Sequence, residues 1–411
     1  MAPVHTSRHW PRTTASRAVL ALLLGLCFAS CEDGVRDPWV ATWSSSMADA
    51  GPGFQDTTLR QVVRLSAGGD VLRVRLSHVF GSEPTRIGAA SVGLSQGGAG
   101  IEPGTLRPLT FGGSRAVELA PGADLRSDPV DLTVPTGANL VVSLYLAADS
   151  GDATRHRNAS QTSFVVAGNH VDELELVPDE TNRSFHWLTG VEIDSPEVAF
   201  AVAAFGDSIT EGSGSSLDLH NRYPDVLARE LSARGVSAAV VNAGIGGNRV
   251  LSDGWGDIGA GPSASSRFER DVLSQPGLTH VLLLEGVNDL GMGATLGPRV
   301  SAEDIIRGYE TLIRRAHRSG LRVLVGTILS FRGATFPRYW SAENEAARQT
   351  INAWIRTTTR HDGFVDFDEV MRDPGDPERL DAALHSGDYL HPNDAGYQRM
   401  GALAASALDS L

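Results

Sequence analysis

Between about residues 38 and 190 the hydrophobic positions recur every second residue. Leu72, Val74 and Leu76 alternate with Arg73, Arg75 and Ser77, the period of a strand with one buried face. The Ala-Gly-Gly-Asp stretch at 67–70 separates this run from Leu59–Leu65, and the pair predicts a hairpin. Short strands are also predicted around 107–111, 115–119, 130–134 and 139–146, divided by Pro and Gly. Strands at this spacing predict an all-β, sandwich-like domain over 38–190.

From about residue 197 the rhythm changes to strand then helix. An apolar strand (Val198–Val202, ending by Phe205) precedes a helix near 221–234, where Tyr223, Leu227 and Leu231 share a face and Gly235 is the stop signal. Strands at 238–242, 279–285 and 321–328 precede helices near 263–274, 302–318 and 342–359, with Ser301 as a cap. A short strand near 363–367 and a C-terminal helix from about 394 complete the series. Strict alternation predicts an α/β domain over 197–411, with a parallel sheet covered on both faces.

Composition adds an amino-terminal segment to this picture. Of the 411 residues 41% are hydrophobic, a globular figure with room for two domains. The first thirty carry Arg8, Arg12 and Arg17, no acid, and the apolar run Ala18–Ala29. This is a signal-peptide pattern over 1–30, with a run too short to span a membrane. Phe28-Ala29-Ser30-Cys31 resembles a bacterial lipobox, with Phe28 where Leu is more usual. The resemblance implies cleavage before Cys31 and lipidation of its thiol, hence export to a lipid-anchored place on the cell envelope. Plain secretion and an uncleaved anchor are the alternatives. No cysteine follows Cys31, so the mature chain is expected to rely on its core rather than on disulfides.

Charge then excludes several functions. Without residues 1–30 the 35 basic residues lose three arginines, and 32 minus 49 acids leaves −17. Such a surface does not suit nucleic acid. There is no lysine, which removes Schiff-base catalysis, a P-loop lysine and a Ser-Lys dyad.

Four polar clusters fall after strands or near the end of the sheet: Gly206-Asp207-Ser208-Ile209, Asn242 to Asn248, Gly286-Val287-Asn288-Asp289, and Asp388-Tyr389-Leu390-His391-Pro392. Strand carboxyl ends of a parallel sheet converge on one rim. Ester hydrolysis through serine needs a nucleophile, a base, a group that orients the base, and oxyanion donors. Ser208 can be the nucleophile and His391 the base, with Asp388 one helical turn away to hold the other imidazole nitrogen. The amides of Ser208 and Gly247 and the side-chain amide of Asn288 can meet the oxyanion, with Gly244 and Gly246 as competitors of Gly247. Asp207 reads as a turn former and Asp289 as structural. Asn288 as a cap, and His385, Asp388 and His391 as metal ligands, are the competing readings.

These four blocks, in this order and at these separations, resemble the conserved blocks of the SGNH (GDSL-type) esterases. The resemblance covers about 198–411. It implies a flavodoxin-like three-layer α/β/α fold, Ser208 as nucleophile, Gly247 and Asn288 as oxyanion donors, Asp388 and His391 as the completing pair, and no cofactor. A β-domain ahead of such a domain looks like bacterial extracellular acylhydrolases and carbohydrate esterases. The expected partner is therefore a small-molecule or polysaccharide ester, with membrane contact only through a lipid at Cys31. A lipase or lysophospholipase, and an inactive surface carbohydrate-binding protein, are the alternative functions. Gly93-Leu94-Ser95-Gln96-Gly97 also fits a nucleophile-elbow pattern, yet the glycines and proline after it cannot start the required helix. Small polar residues at 252–266, with Trp255, and the aromatics Phe336, Tyr339 and Trp340 among Arg332 and Arg338 predict short acyl groups, acetyl above all, on a polar alcohol.

Overall fold

The computed structural model describes residues 38–254, 259–293 and 299–409. The expected signal segment, Cys31 and Trp255 lie outside the described residues.

Alternation builds two antiparallel sheets in the first half. One pairs β1 (Trp39–Ser44), β7 (Leu188–Asp194) and β3 (Gly69–Ser77) in that order. The other runs β6 (Ser163–Ala167), β2 (Thr57–Arg64), β5 (Asn139–Leu146), β4 (Ala89–Gly97). Leu72, Val74, Leu76, Val191 and Ile193 of the first sheet share one core with Leu59, Val63, Leu140, Val142 and Leu144 of the second. Two inner faces on one core make a sandwich-like arrangement.

The expected hairpin of β2 with β3 does not form, because the two strands lie in opposite sheets. Their apolar stripes meet the same core from its two sides, and the link between them crosses the core's edge. Thr42 holds the crossing: its carbonyl accepts from Ser66 N (3.0 Å) and its hydroxyl from Ala67 N (2.8 Å). β2 pairs instead with β5 along its whole length, Thr57 opposite Leu146 to Arg64 opposite Asn139.

The second half forms a parallel sheet of β8 (Phe200–Gly206), β9 (Ala238–Gly244), β10 (His280–Leu284), β11 (Arg322–Gly326) and β12 (Gly363–Val365), in the order β9-β8-β10-β11-β12. This is the 2-1-3-4-5 order of flavodoxin-like sheets. The chain steps first to one side of β8, then back across it, and right-handed crossovers place the helices on both faces. Short α1 (Ser208–Glu211) follows β8 directly, and α2 (Tyr223–Ala233) comes next. α3 (Ala264–Phe268), α4 (Val287–Met292), α5 (Ala302–Arg318), α6 (Ala342–Thr357), α7 (Phe367–Met371) and α8 (Asp394–Leu408) complete the set. In α5, Ile305, Tyr309, Leu312 and Ala316 make the buried stripe, and Ser301 forms a reciprocal capping box with Asp304.

The β-rich half closes the open edge at β9: Ser66 Oγ accepts from Val240 N (2.8 Å), and Ser44 Oγ donates to Asn242 O (3.0 Å). An unpaired strand edge is thereby covered. Residues from Asp37 on pack as one compact unit.

Candidate active site

β8 is buried along nearly its whole length and ends at Gly206. A Cβ there would stand 2.0 Å from Leu284 O and 2.3 Å from Thr210 Oγ1, so only glycine fits between the neighbouring strand and the start of α1. Asp207 caps that helix, its Oδ1 accepting from Ile209 N at 2.9 Å. Ser208 thus occupies the first helical position, where a backbone N–H has no partner inside the helix.

Ser208 Oγ lies 2.9 Å from His391 Nε2, and His391 Nδ1 lies 2.6 Å from Asp388 Oδ2. Asp388 Oδ1 also accepts from the backbone N–H of Leu390 and of His391, each at 2.9 Å. Burial pushes the Asp388 carboxyl up, but hydrogen bonds from the His391 ring and amide outweigh it and hold it well below the usual carboxylate range. The expected helical turn between Asp388 and His391 is absent. His391 precedes Pro392, which disfavours helical backbone there, and α8 begins only at Asp394. Tyr389 instead takes φ 57°, a strained value for a non-glycine residue, and the turn so made brings both oxygens of Asp388 to bear.

Of the glycines after β9, two have their amides taken: Gly244 N donates to Asn242 Oδ1 (2.9 Å) and Gly246 N to Glu211 Oε1 (3.0 Å). Gly247 follows at φ 74°, a left-handed conformation that suits glycine. Asn288, buried in α4, donates one Nδ2 hydrogen to Asn248 O (2.9 Å), and its Oδ1 accepts from the hydroxyl of Tyr339 (2.7 Å). An amide nitrogen carries two hydrogens, so one remains for a ligand. Asn288 does not cap its helix, since Gly286 holds the N-cap position. Tyr339 is buried behind Asn288, leaving Phe336 as the exposed ring of its loop, edge-on to His391 at 6.3 Å.

Sequence reasoning missed Tyr339 as the partner of Asn288, and it missed Glu211. Glu211 is buried. Its position, three residues after Ser208 in a helix of apolar surroundings, was the available signal. Burial raises its carboxyl to about 8 against the opposing hydrogen bond from Gly246. His156 Nε2 stands 3.4 Å away, with His156 Nδ1 bonded to Ser46 O at 2.8 Å and burial lowering this imidazole to about 4. At neutral pH the pair is therefore an uncharged acid facing an uncharged imidazole. Burial also raises Asp207 to about 7 and Asp289 to about 6, and raises Glu285 well above its ordinary value. Asp289 is structural as expected: its oxygens accept from Val250 N (2.8 Å) and Leu251 N (3.3 Å).

Ser95 sits near the end of β4, paired with Ile101, and its hydroxyl accepts from Gly97 N. No helix follows it. His385 Nδ1 accepts from two backbone amides, Gly387 (3.0 Å) and Tyr389 (3.3 Å), which makes it a brace for the Asp388 turn. Among the described residues no group of three or more His, Cys, Asp or Glu is placed to hold a metal ion.

A serine, a histidine and a carboxylate thus stand in hydrogen-bonded sequence at the rim of a flavodoxin-like sheet. Residues 204–399, within the α/β half, match the model of the GDSL-like Lipase/Acylhydrolase family, a likeness that indicates a carboxylic ester hydrolase. No curated protein matches the chain significantly. Among solved structures, the M. smegmatis aryl esterase is 18% identical, covering 52% of this chain and 100% of its own, with a TM-score of 0.41. A carbohydrate acetylesterase from Sinorhizobium meliloti is 16% identical, over 51% of this chain and 99% of its own, with a TM-score of 0.40. A G-D-S-L family lipolytic protein from Desulfitobacterium hafniense is 21% identical, over 50% and 98%, with a TM-score of 0.38.

Proposed function

We propose that the protein is a serine esterase that removes short acyl groups, acetyl above all, from a polar alcohol such as a carbohydrate. The observation that carries the reading is the unbroken relay from Ser208 Oγ through the His391 ring to Asp388, at 2.9 and 2.6 Å. Ser208 Oγ attacks the ester carbonyl while its proton passes to His391 Nε2, and Asp388 stabilises the imidazolium. The oxyanion receives hydrogen bonds from the amides of Ser208 and Gly247 and from the second hydrogen of Asn288 Nδ2. His391 then protonates the leaving alcohol, and water, deprotonated by the same ring, releases the acid. The chemistry calls for no cofactor.

The acyl preference rests on the surface beside His391. A long alkyl chain needs a contiguous apolar wall, each buried CH₂ contributing about 0.8 kcal/mol. The loop after β11 turns Tyr339 inward, half-buries Trp340 beneath Arg332 and leaves Phe336 as its exposed ring, with Arg338 exposed two residues on. One ring among hydrogen-bonding groups suits a sugar. p-Nitrophenyl esters from acetate to palmitate, run beside acetylated xylan with released acetate measured, test the reading. A kcat/KM highest for acetate is expected, and a rise beyond octanoate with no acetate released would reassign the protein to lipids. Fluorophosphonate should label Ser208 and spare Ser95. We also propose export, with Cys31 as the lipid-bearing residue, on the sequence pattern alone. Cys31→Ser should move the protein from the detergent phase to the aqueous phase, and wild-type protein already in the aqueous phase would refute lipidation.

A further inference from the structure

A cleft of about 310 Å³ opens where the β-rich half meets α2, bordered by Glu211 but not by Ser208 or His391. Thr136 and Ala233 lie exposed on its rim, and Trp43, Phe185, His156 and Glu211 are buried in its depth. This size is that of a small-molecule site, and the lining mixes the rings of Trp43 and Phe185 with charged and hydroxyl side chains.

Three guanidiniums, of Arg64, Arg222 and Arg229, line the cleft with the half-buried carboxylate of Asp225. Arg222 is held by Asp225 (2.6 Å) and by Ala159 O (3.1 Å), and Arg229 by His220 O (2.5 Å) and Asn221 Oδ1 (3.4 Å). Among the described residues Arg64 makes a single hydrogen bond, a long one of 3.4 Å to Asn139 Oδ1. Burial lowers its pKa, and Arg229 and Arg222 lower it further against the opposing pull of Asp225. An anion would relieve this crowding of like charge.

We propose that this cleft is a second, non-catalytic site for a small aryl carboxylate, its anionic end on Arg64 and its ring against Trp43, Phe185 and Val240. The arginines outnumber Asp225, Glu211 stays protonated near neutral pH, and Trp43, Phe185, Ala228 and Val240 give part of the wall an apolar surface. A bare inorganic anion would leave that surface unused.

The test is calorimetric titration of benzoate into the full-length protein, before and after Ser208 is blocked with fluorophosphonate. Saturable one-to-one binding is expected in both states. Arg64→Gln should weaken it about tenfold or more, the scale of one charge-assisted hydrogen bond. Ala228→Phe, which fills the cleft from α2, should abolish it while a thermal melt confirms the fold. Absence of saturable heat at millimolar benzoate would overturn the proposal. So would binding that disappears when Ser208 is blocked, or inorganic phosphate binding as tightly as benzoate. If Ser208 does not react with the probe, the esterase reading fails, and the Arg64→Gln comparison still decides the second site.

Discussion

The two halves of the molecule treat buried charge in opposite ways. In the β-rich half Glu192 is fully buried between Arg73 and Arg126, and fully buried Arg60 gives its hydrogens to Ser143 Oγ and to the carbonyls of Ala99, His170, Glu173 and Leu174. Both of these buried charges are fully partnered, whereas buried Arg75 of the same half pairs with Asp124 and leaves its Nη1 unpartnered. Around Ser208 the balance fails. Asp207, Glu211, Glu285 and Asp289 are all buried, while the nearby Arg267 is committed to Asp271 at 3.1 Å and stands 3.8 Å from Glu285. Neither oxygen of Glu285 has a hydrogen-bond donor. Satisfied charges hold a scaffold in register, whereas under-compensated acids persist where the surrounding structure over-determines them, beneath a functional rim. The β half should therefore respond to mutation in stability, and the α/β half in rate and in pH dependence.

The largest effect expected is on turnover. Ser208→Ala or His391→Ala should lower kcat by on the order of 10⁴ to 10⁶, the range for removing a member of a catalytic unit, with a thermal melt near wild type. Glu192→Ala should do the reverse. Removing the buried carboxylate leaves Arg73 and Arg126, both partly exposed, without their partner and costs about 1–3 kcal/mol of stability, while the folded fraction keeps its kcat. A Glu192 variant that loses kcat without losing stability would break the contrast between the halves.

Next in size is the effect at the proposed oxyanion donor. Asn288→Ala is expected to lower kcat by about 10²- to 10³-fold with little change in KM. Tyr339→Phe keeps the ring and removes the hydroxyl that holds Asn288 Oδ1, so about a tenfold loss in kcat is expected at constant KM. Equal losses in kcat/KM from KM alone would place Tyr339 in substrate binding rather than in positioning.

Much of this was legible in the sequence, for reasons that also mark the limits. The sequence rhythm located β8 to β12 because parallel strands covered on both faces read as short continuous apolar runs, and the long helices because each buries one regular stripe; the four polar clusters fall where that rhythm breaks. Strand partners were not legible: Leu59 and Leu72 obey the same alternation whether they pair or face each other across a core. Three-residue spacing from Asp388 to His391 gave reach but not path, since Pro392 and the strained Tyr389 decide the path. The choice of Gly247 over its neighbours depends on Asn242 and on Glu211, which lies 35 residues before Gly246. No local pattern announces that bond, or the one from Tyr339 to Asn288.

Glu211 gives a smaller effect that tests how the oxyanion loop is held. Its Oε1 accepts the Gly246 amide, and the acid is neutral near pH 7. Glu211→Gln preserves both the acceptor and the neutrality, so kcat within a few-fold of wild type is expected. Glu211→Ala removes one hydrogen bond and should lower kcat about tenfold. If Gln is as damaging as Ala, the carboxylate form is required and the neutral reading is wrong.

The smallest effect is on thermal stability, and its sign is specific. A carboxyl whose folded pKa is raised binds a proton in the native state after the unfolded chain has lost it, so its contribution, complete below the ordinary value, is lost as pH rises through the folded value. Glu211 at about 8 and Asp207 at about 7 span neutrality, with Glu285 raised in the same direction. The buried histidines His156, His186 and His220, lowered to about 4, act oppositely, but only below the ordinary histidine value near 6.5. Asp388, held low, loses its contribution only in acid. Between pH 6.5 and 8 the raised acids therefore act unopposed by these groups, and Tm should fall as pH rises across that window. Glu211→Gln cannot titrate and should show a shallower fall. A wild-type Tm that is flat or rising there would mean that the acids beneath Ser208 are ionised in the folded protein, and the contrast between its two halves would be lost.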